Sequence, residues 1–352
     1  MHVVVDAVVV RTGSVTIVLE HLVRAWSETF PEDSISVLFG PEGQTFPLPE
    51  GAHAEVLSQP AGPLGGLWLR SVAVRRAAHR LGADAVLAGV PASGLLGSKA
   101  PRGVILYDLR FELRPEQFSR KTRIARRLSW GWSMRLAEGI FTISDRTLDD
   151  LAEHHPRLAR RAVAAPLGSD HALAWHAPQS DGTPYAIAFG HYGNKNADAV
   201  IDGWAAFCAT RTDWQLRLVG MGKADRDAAA EQVRRLGIED HVELMPWLDD
   251  DAFQTCFAGA GLVLFPSDFE GFGLPAAEAL RLGIPAVISP DPALAEVTGG
   301  HAVTARSTTA ADLADAIRAA LDLTPRQLAA GQAFAETFSW RRTAEVIRAG
   351  LR

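Results

Sequence analysis

Cysteine is almost absent. Two occur in 352 residues, Cys208 and Cys256, and both fall within patterns that read as helices. The pattern does not exclude a disulfide between them, but nothing supports one, and a reducing compartment suits this composition better. Long apolar runs are missing as well. The least polar stretch, residues 85–98, is short and interrupted by Gly89, Pro91 and Gly94, so no segment has the length to span a bilayer. The N-terminus lacks a basic stretch ahead of an apolar one, and Met1-His-Val-Val-Val-Asp6 reads as a first β-strand rather than a signal peptide. Positive charge is not in excess: the formal net charge is −6, which argues against general nucleic-acid binding. Internal repeats and low-complexity tracts are absent too. These absences predict a cytoplasmic protein, unless it docks peripherally on a membrane surface.

What is present is the composition of a globular protein, 47% hydrophobic and 22% charged. The length exceeds one ordinary compact domain and predicts two. Short apolar runs alternate with helix-length amphipathic stretches, the pattern of parallel βαβ units. In the first half, strands are predicted at 3–5, 36–39, 85–87, 104–106 and 139–143, with helices at 15–29, 69–81 and 119–136. Residues 171–183, with Pro178, Asp181 and Gly182 and no apolar period, read as a connection. A second series follows, with strands at 185–189, 215–219, 242–244, 262–265 and 286–288. Its helices are predicted at 196–208, 225–236, 250–257, after Pro275, at 311–321 and from Pro325 to the end. The expected architecture is α/β, two doubly wound domains facing a central cleft, with ligands at the carboxyl ends of the strands.

The richest segment is Leu262-Val-Leu-Phe-Pro266, then Ser267-Asp-Phe-Glu-Gly-Phe-Gly-Leu274, then Pro275-Ala-Ala-Glu-Ala-Leu-Arg-Leu-Gly283. A buried strand leads into a loop, and the loop into a helix with Pro275 in its first turn and Gly283 past its end. Gly271 and Gly273 allow backbone angles closed to other residues and let a ligand approach the main chain. The helix start behind them offers N–H groups to a phosphate. Two carboxylates, Glu270 and Glu278, stand eight positions apart, one in the loop and one in the helix.

This segment resembles the E-x7-E motif of the family-4 retaining glycosyltransferases, which have the two-domain GT-B fold. Further strings resemble the same family. They are Gly190-His-Tyr-Gly-Asn-Lys195-Asn196, Leu218-Val-Gly-Met-Gly222, Ala293-Leu-Ala-Glu-Val297 with Gly300, and Phe338-Ser-Trp340. In the first half, Leu106-Tyr-Asp108 with Pro115-Glu116, Phe141-Thr-Ile-Ser144, and Pro166-Leu-Gly168 with Asp170 also match. The resemblance covers nearly the whole chain and is weakest before about residue 100. It implies an acceptor-binding domain at 1–170 and a nucleotide-sugar-binding domain at 175–335. It further implies a final helix, 337–352, that packs back on the first domain.

The resemblance also implies roles. Glu278 would hold the donor's ribose hydroxyls, since a carboxylate accepts two hydrogen bonds at once. Glu270 would orient the transferred sugar and support positive charge at its anomeric carbon. Backbone N–H groups around Gly271, Phe272, Gly273 and Leu274 would meet sugar or phosphate. Lys195 would neutralise the leaving diphosphate. Gly13, in Arg11-Thr-Gly-Ser14, would approach that diphosphate from the first domain, and Asp108 would contact donor sugar or acceptor unless it merely caps a turn. The implied activity is retaining and needs neither metal nor cofactor, moving a sugar from a nucleotide sugar to a hydroxyl of a polysaccharide, lipid-linked or secondary-metabolite acceptor.

Two positions depart from the family. Asn194 stands where arginine usually precedes the Lys-Asn pair, and Tyr107 where histidine usually precedes the aspartate. Asparagine supplies neither the charge nor the bidentate fork of arginine; Lys223 or a first-domain arginine would have to replace it, or Asn194 would meet the donor differently. A catalytically impaired nucleotide-sugar-binding partner protein is the alternative these departures motivate, and a GT-B phosphorylase or epimerase is a third reading.

Other signals have plainer explanations. Asp249-Asp-Asp251 formally contains a metal-binding Asp-x-Asp but opens a helix, where it reads as a cap. His154-His155 lacks a third ligand at zinc-like spacing. Gly220-Met-Gly222 is a weak dinucleotide fingerprint with nothing downstream to support it. Residues 114–135 carry Arg120, Lys121, Arg123, Arg126, Arg127, Trp130 and Trp132, and Arg70, Arg75, Arg76 and Arg80 add a second basic helix. This reads either as a solvated helix face with its tryptophans turned inward or as a peripheral contact with anionic lipid or an anionic acceptor.

Overall fold

The structure, a computed structural model, describes residues 1–11, 13–92, 94–177, 182–190 and 193–352. Thr12 of the first loop, His191 and Tyr192 of the glycine-to-Lys-Asn string, and Pro178 and Asp181 of the connection lie outside the described residues. The chain divides into two compact units, residues 1–168 with 339–352, and residues 169–338.

The first unit is built on a parallel sheet. Its strands are β1 (His2–Ala7), β2 (Ser34–Phe39), β3 (His53–Val56), β4 (Ala85–Ala88), β5 (Arg102–Leu106), β6 (Gly139–Thr142) and β7 (Ala162–Ala164). Among the described residues their order is β3-β2-β1-β4-β5-β6-β7. The central strands are apolar and buried on both faces, as a sheet with helices on each side requires. On one face, Val4, Leu38 and Val86 pack against Val74 and Ala78 of the helix Val74–Arg80. Further along it, Val104, Leu106 and Ile140 meet Met134 of the helix Arg120–Leu136.

The predicted helix from Pro325 to the end is broken. Helix Pro325–Ala335 stops before Phe338, which packs edge-on to Phe334 at 5.7 Å, and Ser339 caps a new helix, Trp340–Gly350. That last helix belongs to the first unit. Trp340 stacks on His21 at 5.6 Å, Thr343 Oγ1 donates to the Pro166 carbonyl at 2.6 Å, and Arg348 forms two hydrogen bonds with Asp33.

The second unit has strands β8 (Tyr185–Phe189), β9 (Gln215–Val219), β10 (Val242–Leu244), β11 (Leu262–Phe265), β12 (Ala286–Ile288) and β13 (Val303–Thr304). They are parallel, in the order β10-β9-β8-β11-β12-β13. The strand order reverses between β8 and β11, and the loops that follow these two strands lie side by side at the place where open α/β sheets bind ligands. Cys208 and Cys256 are free and buried in this unit.

Candidate functional site

The loops after β8 and β11 carry the residues of interest, and they are tied together. Asn196 sits in the left-handed backbone region at φ 54°. Its amide nitrogen donates to the Pro266 carbonyl at 2.8 Å and to Asp268 Oδ1 at 2.6 Å. The Asp268 N–H returns a bond to the Asn194 carbonyl at 2.9 Å. This lattice fixes Lys195 against Glu270: Lys195 Nζ donates to Glu270 Oε1 at 2.6 Å and lies 4.2 Å from the centre of the Phe265 ring. Both side chains are largely buried, at 8% and 14% exposure, where such a pair holds its geometry better than on the surface.

Asn194 is buried, and its amide nitrogen donates to Glu270 Oε1 at 3.2 Å and to the Phe269 carbonyl at 3.1 Å. The residue in the arginine position thus braces the Glu270 carboxylate from within the protein. Its Oδ1 is buried without a hydrogen bond among the described residues. Lys223, the candidate replacement cation, is exposed and paired with Asp227 at 2.7 Å.

Gly271 and Phe272 lead into the helix Leu274–Leu282. The Phe272 side chain is core, packed edge-on to Phe338 at 5.6 Å, which leaves only its backbone for a ligand. Gly273 precedes the helix at φ 101°, a backbone angle that favours glycine, and a Cβ there would lie 2.4 Å from Leu294 Cδ2 and push that side chain aside. With glycine in the capping position no side chain caps this helix among the described residues; Pro275 has no N–H and Ala276 N–H bonds the Gly273 carbonyl at 3.0 Å, so the N–H groups left for a ligand are those of Gly273 and Leu274. Asp291 steadies the loop: Oδ1 accepts from Ala293 and Leu294 N–H, and Oδ2 from Glu270 N–H at 3.4 Å.

Glu278 lies inside the helix and is 4% exposed. Its Oε1 accepts a hydrogen bond from His171 Nε2 at 3.0 Å. His171 belongs to the short helical turn Asp170–Ala174, anchored because Trp175 packs edge-on against Phe257 at 5.2 Å and Phe253 at 6.0 Å. Sequence reading missed His171. The one signal was its place beside Asp170 in a string already matched to the family; 107 positions separate it from Glu278.

The remaining candidates belong to the first unit. Gly13 precedes the helix Ser14–Thr29 at φ 135°, and its neighbour Thr12 is outside the described residues. Asp108 Oδ1 accepts from the Arg110 N–H at 2.9 Å, which is the turn-capping geometry. Beside it the Tyr107 hydroxyl is buried without a hydrogen bond among the described residues, and burial pushes its pKa far up, so the phenol stays protonated. Asp249 caps the helix Asp250–Ala258, accepting from Ala252 N–H at 2.8 Å.

Residues 176–336 match the family model described as glycosyl transferases group 1. An MMP alpha-(1->4)-mannosyltransferase of Mycolicibacterium hassiacum is 35% identical over 140 residues, 38% of this chain and 34% of the relative. A GDP-mannose-dependent alpha-(1-6)-phosphatidylinositol dimannoside mannosyltransferase of Mycobacterium tuberculosis is 32% identical over 183 residues, 48% of this chain and 45% of the relative. The chain thus spans about a third to a half of the length of these curated relatives. Anabaena Alr3699/HepE, solved in complex with UDP and glucose, superposes with a TM-score of 0.77 at 19% identity, covering 100% of this chain and 99% of that one. The fold is the GT-B fold of two parallel α/β units.

Proposed function

We propose, for a chain whose residues 176–336 belong to the group 1 glycosyl transferases, that this protein moves a sugar from a nucleotide sugar to an acceptor hydroxyl with retention of configuration. One observation carries the reading. At the reversal between β8 and β11, a buried Lys195–Glu270 pair stands in the same loop system as an uncapped helix start and a buried, hydrogen-bonded Glu278.

In this reading Glu278, held by His171, receives the ribose hydroxyls. The diphosphate lies over the N–H groups at Gly273 and Leu274, where the helix start favours negative charge. It draws Lys195 toward itself, and Lys195 then compensates the charge that grows on the leaving phosphate. Glu270, kept in place by Asn194, stays beside the sugar as positive charge develops at the anomeric carbon. The bond from that carbon to the phosphate oxygen breaks, and the acceptor oxygen bonds to the same face. The acceptor's proton passes to the departing diphosphate, so no protein base is required. Gly13 and Asp108 are proposed to serve donor and acceptor from the first unit. No step uses a metal ion; Lys195 and the helix N–H groups do that work, and Asp249 is already spent as a cap.

The test is donor hydrolysis by the pure protein with a panel that includes GDP-mannose and UDP-glucose, with and without a chelator. Slow release of sugar from one donor, unaffected by chelator, is expected. Nucleotide binding without hydrolysis of any donor would refute a working site, and loss of turnover on chelation would refute the metal-free mechanism.

A further inference from the structure

The tryptophans and apolar residues of the basic helix Arg120–Leu136 are not all turned inward. Ile124 is 61% exposed, Leu128 69% and Trp132 45%. Spaced four apart, they line one side of the helix. Trp132 Nε1 donates to the Leu95 carbonyl at 2.9 Å, and Leu95 and Leu96 are themselves exposed, so the stripe continues into the loop after β4. The Leu95 N–H in turn donates to Ser71 Oγ at 2.9 Å, joining that loop to the segment that leads into the helix Val74–Arg80. On the far side of Leu96 lies a cavity of about 370 Å³, lined by Arg75, Arg76, His79 and Lys99.

The charge of this surface is one-sided. Residues 57–137 hold fourteen Lys and Arg against four Asp and Glu, in a chain whose net charge is −6. Several of the basic side chains are engaged elsewhere: Arg80 pairs with Glu55, Arg70 and Arg102 donate to backbone carbonyls, Arg110 donates to Gln117, and Arg126 lies over the Phe118 and Trp130 rings. Arg75, Arg76 and Lys99 at the cavity, and Arg120, Arg123 and Arg127 on the helix, are exposed and have no carboxylate partner among the described residues.

We propose that this face of the first unit docks on the anionic headgroup layer of a phospholipid bilayer. The basic cavity takes a headgroup, and Ile124, Leu128, Trp132 and Leu95 enter the layer beneath. A soluble polyanion would be met by the cations alone and would leave the aliphatic stripe in water. A bilayer satisfies both, because its anionic plane covers an apolar interior. No helix among the described residues is long and apolar enough to cross a membrane, so the contact is superficial.

The experiment is vesicle flotation of the full chain, with phosphatidylcholine alone and with phosphatidylglycerol added at about one lipid in three. The wild-type chain is expected to float with the anionic vesicles, to stay behind with the neutral ones, and to be released by salt. Ile124→Ser with Leu128→Ser should lower partition at least about tenfold, from the lost apolar burial. Arg75→Gln with Arg76→Gln should lower it about fivefold per charge. All four side chains are exposed, and unchanged melting and unchanged nucleotide binding would show both variants folded. Equal flotation with both vesicles, no flotation with either, or undiminished binding by the serine variant would each overturn the proposal. None of these readings depends on donor turnover.

Discussion

His171 and Asn194 share a task at the residue scale: each holds in place a carboxylate of the proposed donor site. An unsupported carboxylate in a partly buried loop samples several rotamers, and each hydrogen bond from a neighbour removes some of that freedom. Glu278→Ala should weaken nucleotide affinity by about 1–3 kcal/mol, the range for hydrogen bonds to a charged group, read by calorimetry. His171→Ala leaves the carboxylate present but unheld, so a smaller loss of nucleotide affinity is expected; an effect equal to that of Glu278→Ala would make His171 itself a ligand. Lys195→Ala should depress kcat more than it raises KM, because its charge matters most as the phosphate departs. Equal losses in both would reduce it to a ground-state anchor. Of these residues the sequence pointed to Glu270 and Glu278 by their spacing in one loop and one helix, and to Lys195 only through the string at 190–196 that resembles the family. It could not expose His171, whose partner lies across the fold, nor that the Asn194 amide faces inward to Glu270.

Elements were most legible where burial was complete, as in β8 and β11, though the half-buried edge strand β10 was legible too. β8, β9, β10, β11 and β12 fall where their short apolar runs predict. The strands that escaped notice are β3, β7 and β13, all short, at sheet edges and half exposed, so their pairing is decided by the neighbouring strand rather than by their own pattern. Helix Pro292–Thr298 escaped too, though Asp291 caps it. The break before Trp340 is likewise tertiary, since Phe338 is held by Phe272 and Phe334. The helix Trp340–Gly350 is fastened by Arg348, which bonds Asp33 through Nε at 2.6 Å and Nη2 at 2.9 Å and lies 4.1 Å from the Phe30 ring centre. Arg348→Ala leaves the Asp33 carboxylate with only the Met1 ammonium and Trp26 as partners and should destabilise the first unit by about 1–3 kcal/mol, measured by urea unfolding. A loss below about 0.5 kcal/mol would mean the helix is held by its apolar face alone.

At the scale of the whole molecule, two buried aspartates of the first unit pull its stability in opposite directions with pH. Asp6, at the end of β1, is 4% exposed, and burial pushes its pKa up to about 6 against partial relief from the Val8 N–H and from Arg102 and Arg70. For Asp33, burial also favours the neutral form, but hydrogen bonds from Arg348, the Met1 ammonium and Trp26 outweigh it and hold the carboxyl well below the usual range. The signs follow from proton linkage. Folded Asp6 keeps a proton that the unfolded chain has already released, so its stabilisation is full below about pH 4 and is lost as pH rises through about 6. Folded Asp33 stays ionised where the unfolded chain would protonate, so its stabilisation is full above about pH 4 and is lost as pH falls below that. Taken together, these two groups favour the folded first unit most near pH 4, with a decline of about 3 kcal/mol toward pH 7 from Asp6 alone. Asp6→Asn should flatten that decline while leaving the acid limb of Asp33 intact, followed by melting temperature from pH 4 to 7. A decline of the same size in the Asp6→Asn variant would show that another group, not Asp6, carries the proton.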